Sequence, residues 1–305
     1  MEEENLSKDT NNKKVWAIGG GKGGIGKTLF TANMGVGLAK IGKKVIVVDS
    51  DLGGANLHTL LGIKYVKYNL SDYLNNICEL DEVIMSTPIE GLKLIGGANG
   101  ILGAANPYFS QKNKIINCFK TLKADYIILD LGAGSSYNVL DFFNAADKKI
   151  AIVCPEPTSI QNVYGFLKTT IYRKLIRIFN HNLKIKELIT YAANPKNGKG
   201  AGTINELSQW IYEVDKTSYE IFRKTVNEYR PSIIMNMLKN KEEQNVAQGL
   251  NLVTKRFLDF EINYLGFLQS DPLVPESVRA MRPFMEMRAE SPVSNSLNKI
   301  INRLI

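Results

Sequence analysis

The stretch Val15 to Phe30, "VWAIGGGKGGIGKTLF", concentrates residue types that handle phosphate: closely spaced glycines, two lysines and a threonine. Gly21, Gly26, Lys27 and Thr28 fit G-x-x-x-x-G-K-[ST] at every specified position. Glycines there let backbone N–H groups wrap an anion, and a helix N-terminus behind them adds partial positive charge. Gly21, Gly23, Gly24, Ile25, Gly26, Lys27, Thr28 and Leu29 are therefore the expected cradle for a nucleotide's phosphates. Lys27 would neutralise the β- and γ-phosphate oxygens, and the Thr28 hydroxyl would bind Mg²⁺. One lysine suffices for that task, so Lys22, five residues earlier, is surplus in its own chain.

Acidic partners follow in order. "KKVIVVDSDLGGANLHTLLG" is an apolar run ending in Asp49 and Asp51, and "ADYIILDLGAGSS" ends in Asp130 with a flexible Gly132 just after it. Carboxylates delivered at strand ends are where open α/β sheets bind ligands, and Asp130 there can hold Mg²⁺ directly or through water.

The elements that must position these residues alternate. "VWAIG" is a short buried strand, and "TLFTANMGVGLAKIG" is a helix with Phe30, Met34, Leu38 and Ile41 on one side and Gly42 at its C-terminal cap. "KKIAIV" is another strand, followed by a helix capped by Ser159 that carries Ile160, Val163, Leu167, Ile171 and Leu175. "RPSIIMNML" ends an apolar strand at Asn236, and "INYLGFLQSDP" is a strand leading to Asp271 and Pro272. Strands alternating with helices predict an α/β fold: a central, mostly parallel sheet of about seven strands flanked by helices, plus a helical insertion.

With Lys22 at its first variable position, the loop resembles the deviant Walker motif of the MinD/ParA family of P-loop ATPases. The order of the later motifs resembles it too, and "EPTSI" is close to the FlhG/FleN branch, the MinD-like regulators of flagellar number. The resemblance covers about residues 14 to 303. It implies ATP and Mg²⁺ as cofactors and a homodimer that forms with ATP, in which Lys22 reaches the nucleotide of the other subunit. It implies that Asp49 orders the magnesium water shell and that Asp51 positions the attacking water. The Gly132 backbone would approach the γ-phosphate, Asn236 would read the adenine edge, and the Asp271-Pro272 loop would line the base pocket. Asn194, in "YAANPKNGKGAGT", competes with Asn236 for base recognition.

The implied function is a slowly hydrolysing ATPase switch, weak without a protein activator, that positions a cellular structure such as a flagellum. A partition ATPase of ParA type, binding DNA non-specifically, is the alternative. An iron–sulfur carrier of Mrp type would need cysteines at the dimer axis, whereas Cys78, Cys118 and Cys154 are scattered and form no C-x-x-C pair.

Composition sets the remaining bounds. Hydrophobic residues make up 44% and charged residues 22%, as in an ordinary soluble globular chain of this length, and no apolar run approaches the ~20 residues of a membrane span. Scattered cysteines fit a reducing cytoplasm, and only His58 and His181 are available for imidazole chemistry. Residues 1–13 are expected to be a disordered lead and 14–305 the ATPase domain, with the helical insertion at about 178–230. Thr203 and Glu206 predict a capping box within that insertion. The net charge is +8, and twelve Lys/Arg against six Asp/Glu between Gly165 and Arg230 suggest a basic surface for DNA or an acidic partner. The C-terminal "NSLNKIINRLI" places Leu297, Ile300, Ile301 and Leu304 along one face. Two readings stay open for it: the last core helix, or an amphipathic helix for the inner membrane face.

Overall fold

The computed structural model describes residues 13–51, 53–97, 109–194, 202–240 and 242–305. Its eight strands are β1 (Lys14–Gly19), β2 (Val45–Asp49), β3 (Ile84–Ser86), β4 (Leu92–Ile95), β5 (Tyr126–Asp130), β6 (Lys148–Val153), β7 (Ser232–Leu238) and β8 (Asn263–Gln269). They form one sheet in the order β3-β4-β2-β5-β1-β6-β7-β8. All neighbouring pairs are parallel except β3 with β4. The sheet thus has eight strands where about seven were expected, and β3 and β4 are the two that no sequence motif marked.

Among the described residues, thirteen helices flank the sheet. They are α1 (Lys27–Lys40), α2 (Leu57–Leu60), α3 (Leu70–Leu74), α4 (Phe109–Thr121), α5 (Tyr137–Ala145), α6 (Pro157–Ile178), α7 (Leu183–Ala193), α8 (Ile204–Val214), α9 (Lys216–Asn227), α10 (Asn245–Leu258), α11 (Val274–Arg279), α12 (Phe284–Met287) and α13 (Pro292–Leu304). None is long and apolar enough to cross a membrane.

Because strand side chains alternate in direction, the sheet divides the core in two. Trp16, Ile18, Val45 and Val47 face one layer with α1, α12 and α13, while Ala17, Ile46 and Val48 face the other with α4, α5, α6 and the helices that follow. The strands buried on both faces read as continuous apolar runs, which is why they were visible in the sequence.

Helix α1 departs from the one-sided pattern expected of it. Phe30, Met34 and Leu38 are buried, but so are Thr31, Asn33 and Val36, while Ile41 is exposed. The helix lies between the sheet and α13, and a Cβ at Gly37 would meet Ile301 Cδ1 at 2.2 Å. Leu297, Ile300, Ile301 and Leu304 are all buried in this contact with α1 and β8. The C-terminal helix is thus a core helix, and the apolar face that was a membrane candidate is already covered.

One cap is displaced and one is only half of the expected box. Helix α6 begins at Pro157 with Glu156 as its N-cap, and the Ser159 hydroxyl instead accepts from the Cys154 N–H at 3.0 Å. At α8, Thr203 Oγ1 accepts from Glu206 N, but the Glu206 carboxylate accepts from Gly202 N, one residue ahead of a true box. Helices α7, α8 and α9, between α6 and β7, bury Ile185, Ile189, Leu207, Ile211, Phe222 and Val226 in the same core. All of the expected disordered lead but Lys13 lies outside the described residues, as does most of the "YAANPKNGKGAGT" loop.

The β8 edge of the sheet is irregular. Ile233 and Ile234 pair with Tyr264 and Gly266, so Leu265 is skipped by the register. Its carbonyl accepts from Arg303 Nη1 at 2.6 Å.

Candidate functional site

Parallel strands bring β1, β2 and β5 to one edge with their C-terminal ends together, and every leading motif lies there. The glycine-rich loop joins β1 to α1 through Gly24 at φ +77° and Gly26 at φ +88°, left-handed conformations that suit glycine. A Cβ at Gly26 would also meet the Asn236 amide nitrogen at 2.4 Å. Asn236, at the end of β7, donates from Nδ2 to the Ile25 carbonyl at 2.8 Å and accepts at Oδ1 from Met237 N–H. The asparagine therefore clasps the phosphate loop, and its neighbour Met237 adopts φ +60° as the chain turns away. Gly21 sits against α6, where a Cβ would meet the Asn162 carbonyl oxygen at 2.1 Å.

The two lysines differ sharply. Lys27 is buried, and its ammonium donates to the Lys22 carbonyl at 3.2 Å, across the mouth of its own loop. Burial holds its pKa below the ordinary lysine value, with Asp130 and Asp51 pulling the other way. The Lys22 side chain is 44% exposed, and its ammonium lies 3.8 Å from Glu156, itself 66% exposed. A pair this open is worth at most about 1 kcal/mol.

Asp49 and Asp130 are register neighbours at the ends of β2 and β5, and both are buried. Asp130 accepts from Thr31 Oγ1 at 3.0 Å and from the Thr28 hydroxyl. Asp49 accepts backbone N–H bonds from Asp51, Asn56 and Leu57. Burial pushes Asp130 up to about 7, with Asp49 adding to the rise and the two threonine hydroxyls opposing it. Burial likewise pushes Asp49 up to about 6, against its backbone hydrogen bonds. Two carboxylates crowded with a threonine hydroxyl suit a small, hard, oxygen-loving dication, whose charge would relieve both. Among the described residues no three His, Cys, Asp or Glu side chains cluster to hold a metal. Water and phosphate oxygens would have to complete the shell, as suits Mg²⁺.

Asp51 stands further out. Its Oδ1 accepts from Gly53 N–H at 3.2 Å and Gly54 N–H at 3.1 Å, which aims the carboxylate across the mouth of the site. A Cβ on Gly132 would come within 3.2 Å of that carboxylate, so a side chain there would crowd it.

Beside the loop lies a cavity of about 160 Å³ whose lining includes Gly26, Leu29, Asn236, Met237 and Asp271. Pro272 is next in the chain but does not line it, and neither does Asn194, which caps the end of α7. The sequence reading missed the far wall: Asn33, Phe284, Val293 and Leu297. Asn33 ties it together by donating to Leu29 O and accepting from Met285 N–H, both at 2.8 Å. Thr31 was missed as well. A polar residue on the otherwise apolar face of α1 was the available signal for both.

Cys78, Cys118 and Cys154 are each buried, and burial pushes Cys118 up to about 12 and Cys154 up to about 11.

Comparison with known proteins agrees with this geometry. The family profile described as "AAA domain" matches residues 13–185. The antiactivator FleN of Pseudomonas aeruginosa is 26% identical over 293 residues, 95% of this chain and 86% of that protein. The septum site-determining protein MinD of Helicobacter pylori is 31% identical over 262 residues, 83% of this chain and 93% of that one. Among solved structures, the septum site-determining protein MinD complexed with Mg-ADP from Pyrococcus horikoshii matches with a TM-score of 0.65 at 21% identity, covering 96% of each chain.

Proposed function

The chain belongs to the MinD/ParA family of P-loop ATPases, and from that premise we propose an ATP-driven switch that places a cellular structure, with flagellar placement or number control as its best-supported task. ATP and Mg²⁺ are its cofactors. Lys27 and the loop N–H groups hold the phosphates; Thr28, Asp49 and Asp130 hold the magnesium and its waters. Asp51 aligns the attacking water, since phosphoryl transfer depends chiefly on alignment and charge stabilisation. Gly132 keeps the approach to the γ-phosphate open beside Asp51. Asn236 and Asp271 meet the base, and Asn194 is set aside because it does not line the cavity. Turnover is slow without a protein activator.

One observation carries the switch: two lysines of one loop face opposite ways. Lys27 is folded back onto its own phosphate cradle, while Lys22 stays exposed on a pair too weak to hold it. A cation so placed is available to a second copy's nucleotide, which would make pairing depend on the intact triphosphate. The dimer reading and the cytoplasmic localisation both rest on this exchange and on the family.

The DNA-binding alternative finds less support in the basic segment that suggested it. Arg173 and Arg177, together with Lys112, surround the buried Asp141, Arg223 pairs with Asp259, and Lys224 lies near Glu228.

Light scattering in Mg-ATP tests the switch. Asp51→Ala is expected to accumulate as a dimer, whereas Lys22→Ala binds ATP yet stays a single chain. An Asp51→Ala protein that remains a single chain at micromolar concentration with ATP bound would overturn the dimer reading.

A further inference from the structure

Beside the base cavity, the ends of β6 and β7 bring two sulfur atoms together. Cys154 follows β6 and Met237 lies near the end of β7, and the Cys154 thiol donates to the Met237 thioether sulfur at 3.9 Å. The two residues are 83 positions apart in the chain, and the parallel pairing of β6 with β7 makes them neighbours.

Exposure and backbone set Met237 apart from the other described methionines. Met34, Met235 and Met285 are buried and Met85, Met281 and Met287 half-buried, whereas Met237 is 42% exposed. Its φ is +60°, a left-handed value uncommon for a residue with a side chain. The hydrogen bond from its N–H to Asn236 Oδ1, at 2.9 Å, holds that turn. So held, the side chain lines the cavity beside the phosphate loop, its Cε 3.8 Å from where a Cβ on Gly26 would stand. Leu29, Phe30, Leu268, Val293 and Leu297 supply much of the remaining lining.

A base seated in this cavity covers Met237, and the surfaces that meet are largely apolar. A thioether suits such a contact, being polarizable and making little demand for hydrogen bonds. An oxygen added to the sulfur reverses this, because a sulfoxide is polar and calls for water or a donor. In the nucleotide-free chain that oxygen stays in water. Beneath a bound base it is shut against apolar walls, and the Cys154 thiol is too weak a donor to compensate. The cost falls on the bound state alone, so oxidation and nucleotide affinity are coupled.

We propose that Met237 is an oxidative modification site, through which a hydroperoxide lowers the chain's affinity for ATP. The proposal rests on the reading of this cavity as the base site. With hydrogen peroxide, the sulfur lone pair attacks one oxygen; the S–O bond forms as the O–O bond breaks. Sulfur loses two electrons to the peroxide, whose second oxygen leaves with both protons as water. Cys154 does not compete for the oxidant: it is buried and its thiol stays protonated, whereas the thiolate is the reactive form.

Peroxide treatment, followed by peptide mass spectrometry and isothermal titration with Mg-ATP, tests this. Met237 should gain oxygen ahead of the other described methionines, and Mg-ATP present during treatment should slow that gain. The oxidised chain should bind ATP roughly tenfold more weakly, yet bind inorganic triphosphate as the untreated chain does. Methionine sulfoxide reductases with a dithiol should restore the affinity. Met237→Leu, its fold checked by melting temperature, should keep its own ATP affinity through the same treatment. If ATP protects Met237 but the fully oxidised chain binds ATP as before, the proposal is overturned and the cavity reading stands. An equal loss in Met237→Leu would overturn it by placing the effect at another residue. Affinities for ATP and triphosphate that fall together would overturn it too, moving the damage to the phosphate loop. Oxidation of Met237 at one rate with and without saturating Mg-ATP would overturn the cavity reading, and the proposal with it.

Discussion

The two edges of this sheet carry opposite charge under opposite conditions. At the C-terminal edge Asp49 and Asp130 are buried side by side, and their proton affinity rises because burial outweighs the hydrogen bonds and the Lys27 charge that oppose it. At the N-terminal edge Lys44, Lys123 and Lys148 are exposed and Lys14, Lys43 and Lys149 half-buried, spread one or two to a strand, with the exposed Asp125 and Asp147 among them. Buried acids crowded at one point suit a compact, multiply charged cation, whereas bases strung along a line with exposed acids between them make a solvated face. The first edge needs fixed geometry and so imposes a motif. The second holds its charges without fixed geometry, and leaves none.

The largest effect expected at the C-terminal edge is that of Lys27→Ala. Removing a buried, charge-paired ammonium costs about 2–5 kcal/mol, so the Kd for ATP in isothermal titration should rise by roughly 30-fold or more. An affinity for ATP left unchanged in Lys27→Ala would show that the loop N–H groups hold the phosphates without it. Asn236→Ala comes next. It removes the clasp on the Ile25 carbonyl and a wall of the base cavity, and at about 1–2 kcal/mol should weaken ATP by roughly 5- to 30-fold. An Asn236→Ala protein with parental affinity for ATP and for inorganic triphosphate would show that the clasp does not shape the loop.

The smallest effect concerns pH in the nucleotide-free chain. Asp49 and Asp130 titrate near 6 and 7 when folded, above the ordinary carboxylate value. Between about pH 4 and 7 the folded chain therefore binds more protons than the unfolded one, so its melting temperature should fall as pH rises through that window. Asp130→Asn should flatten the slope, and Mg²⁺ with ATP should remove most of it. A melting temperature that rises through the same window would contradict the buried, uncompensated pair.

How much of this could be read from the sequence follows the same division. Gly26, Lys27, Asp49, Asp51, Asp130 and Asn236 were legible because each ends or follows an apolar strand of recognisable period, and parallel pairing brings strand ends together. The wall formed by Phe284, Val293 and Leu297 was not, since its place depends on α13 crossing α1 some 250 residues away in the chain, at the contact that admits no side chain on Gly37. For the same reason Ile41 looked like a core residue and proved exposed: helical period gives a face, but α1 is enclosed on nearly all sides. The cap at Ser159 was misread because Pro157 opens the helix two residues earlier, and at α8 Thr203 caps as expected while Glu206 takes the N–H of Gly202 in place of that of Thr203. The lysine row was invisible until the strand order was known; the sequence had put the positive charge in the Gly165–Arg230 segment instead.

The skipped Leu265 has a consequence for assembly. A flank strand with a regular ladder invites another copy's backbone to extend it, and sheets joined that way grow into fibres. Here the arginine on the Leu265 carbonyl and the irregular step at Gly266 spoil the template. For a chain proposed to pair with a second copy across nucleotide and part again, that flank is closed to the one kind of self-contact it could not easily reverse.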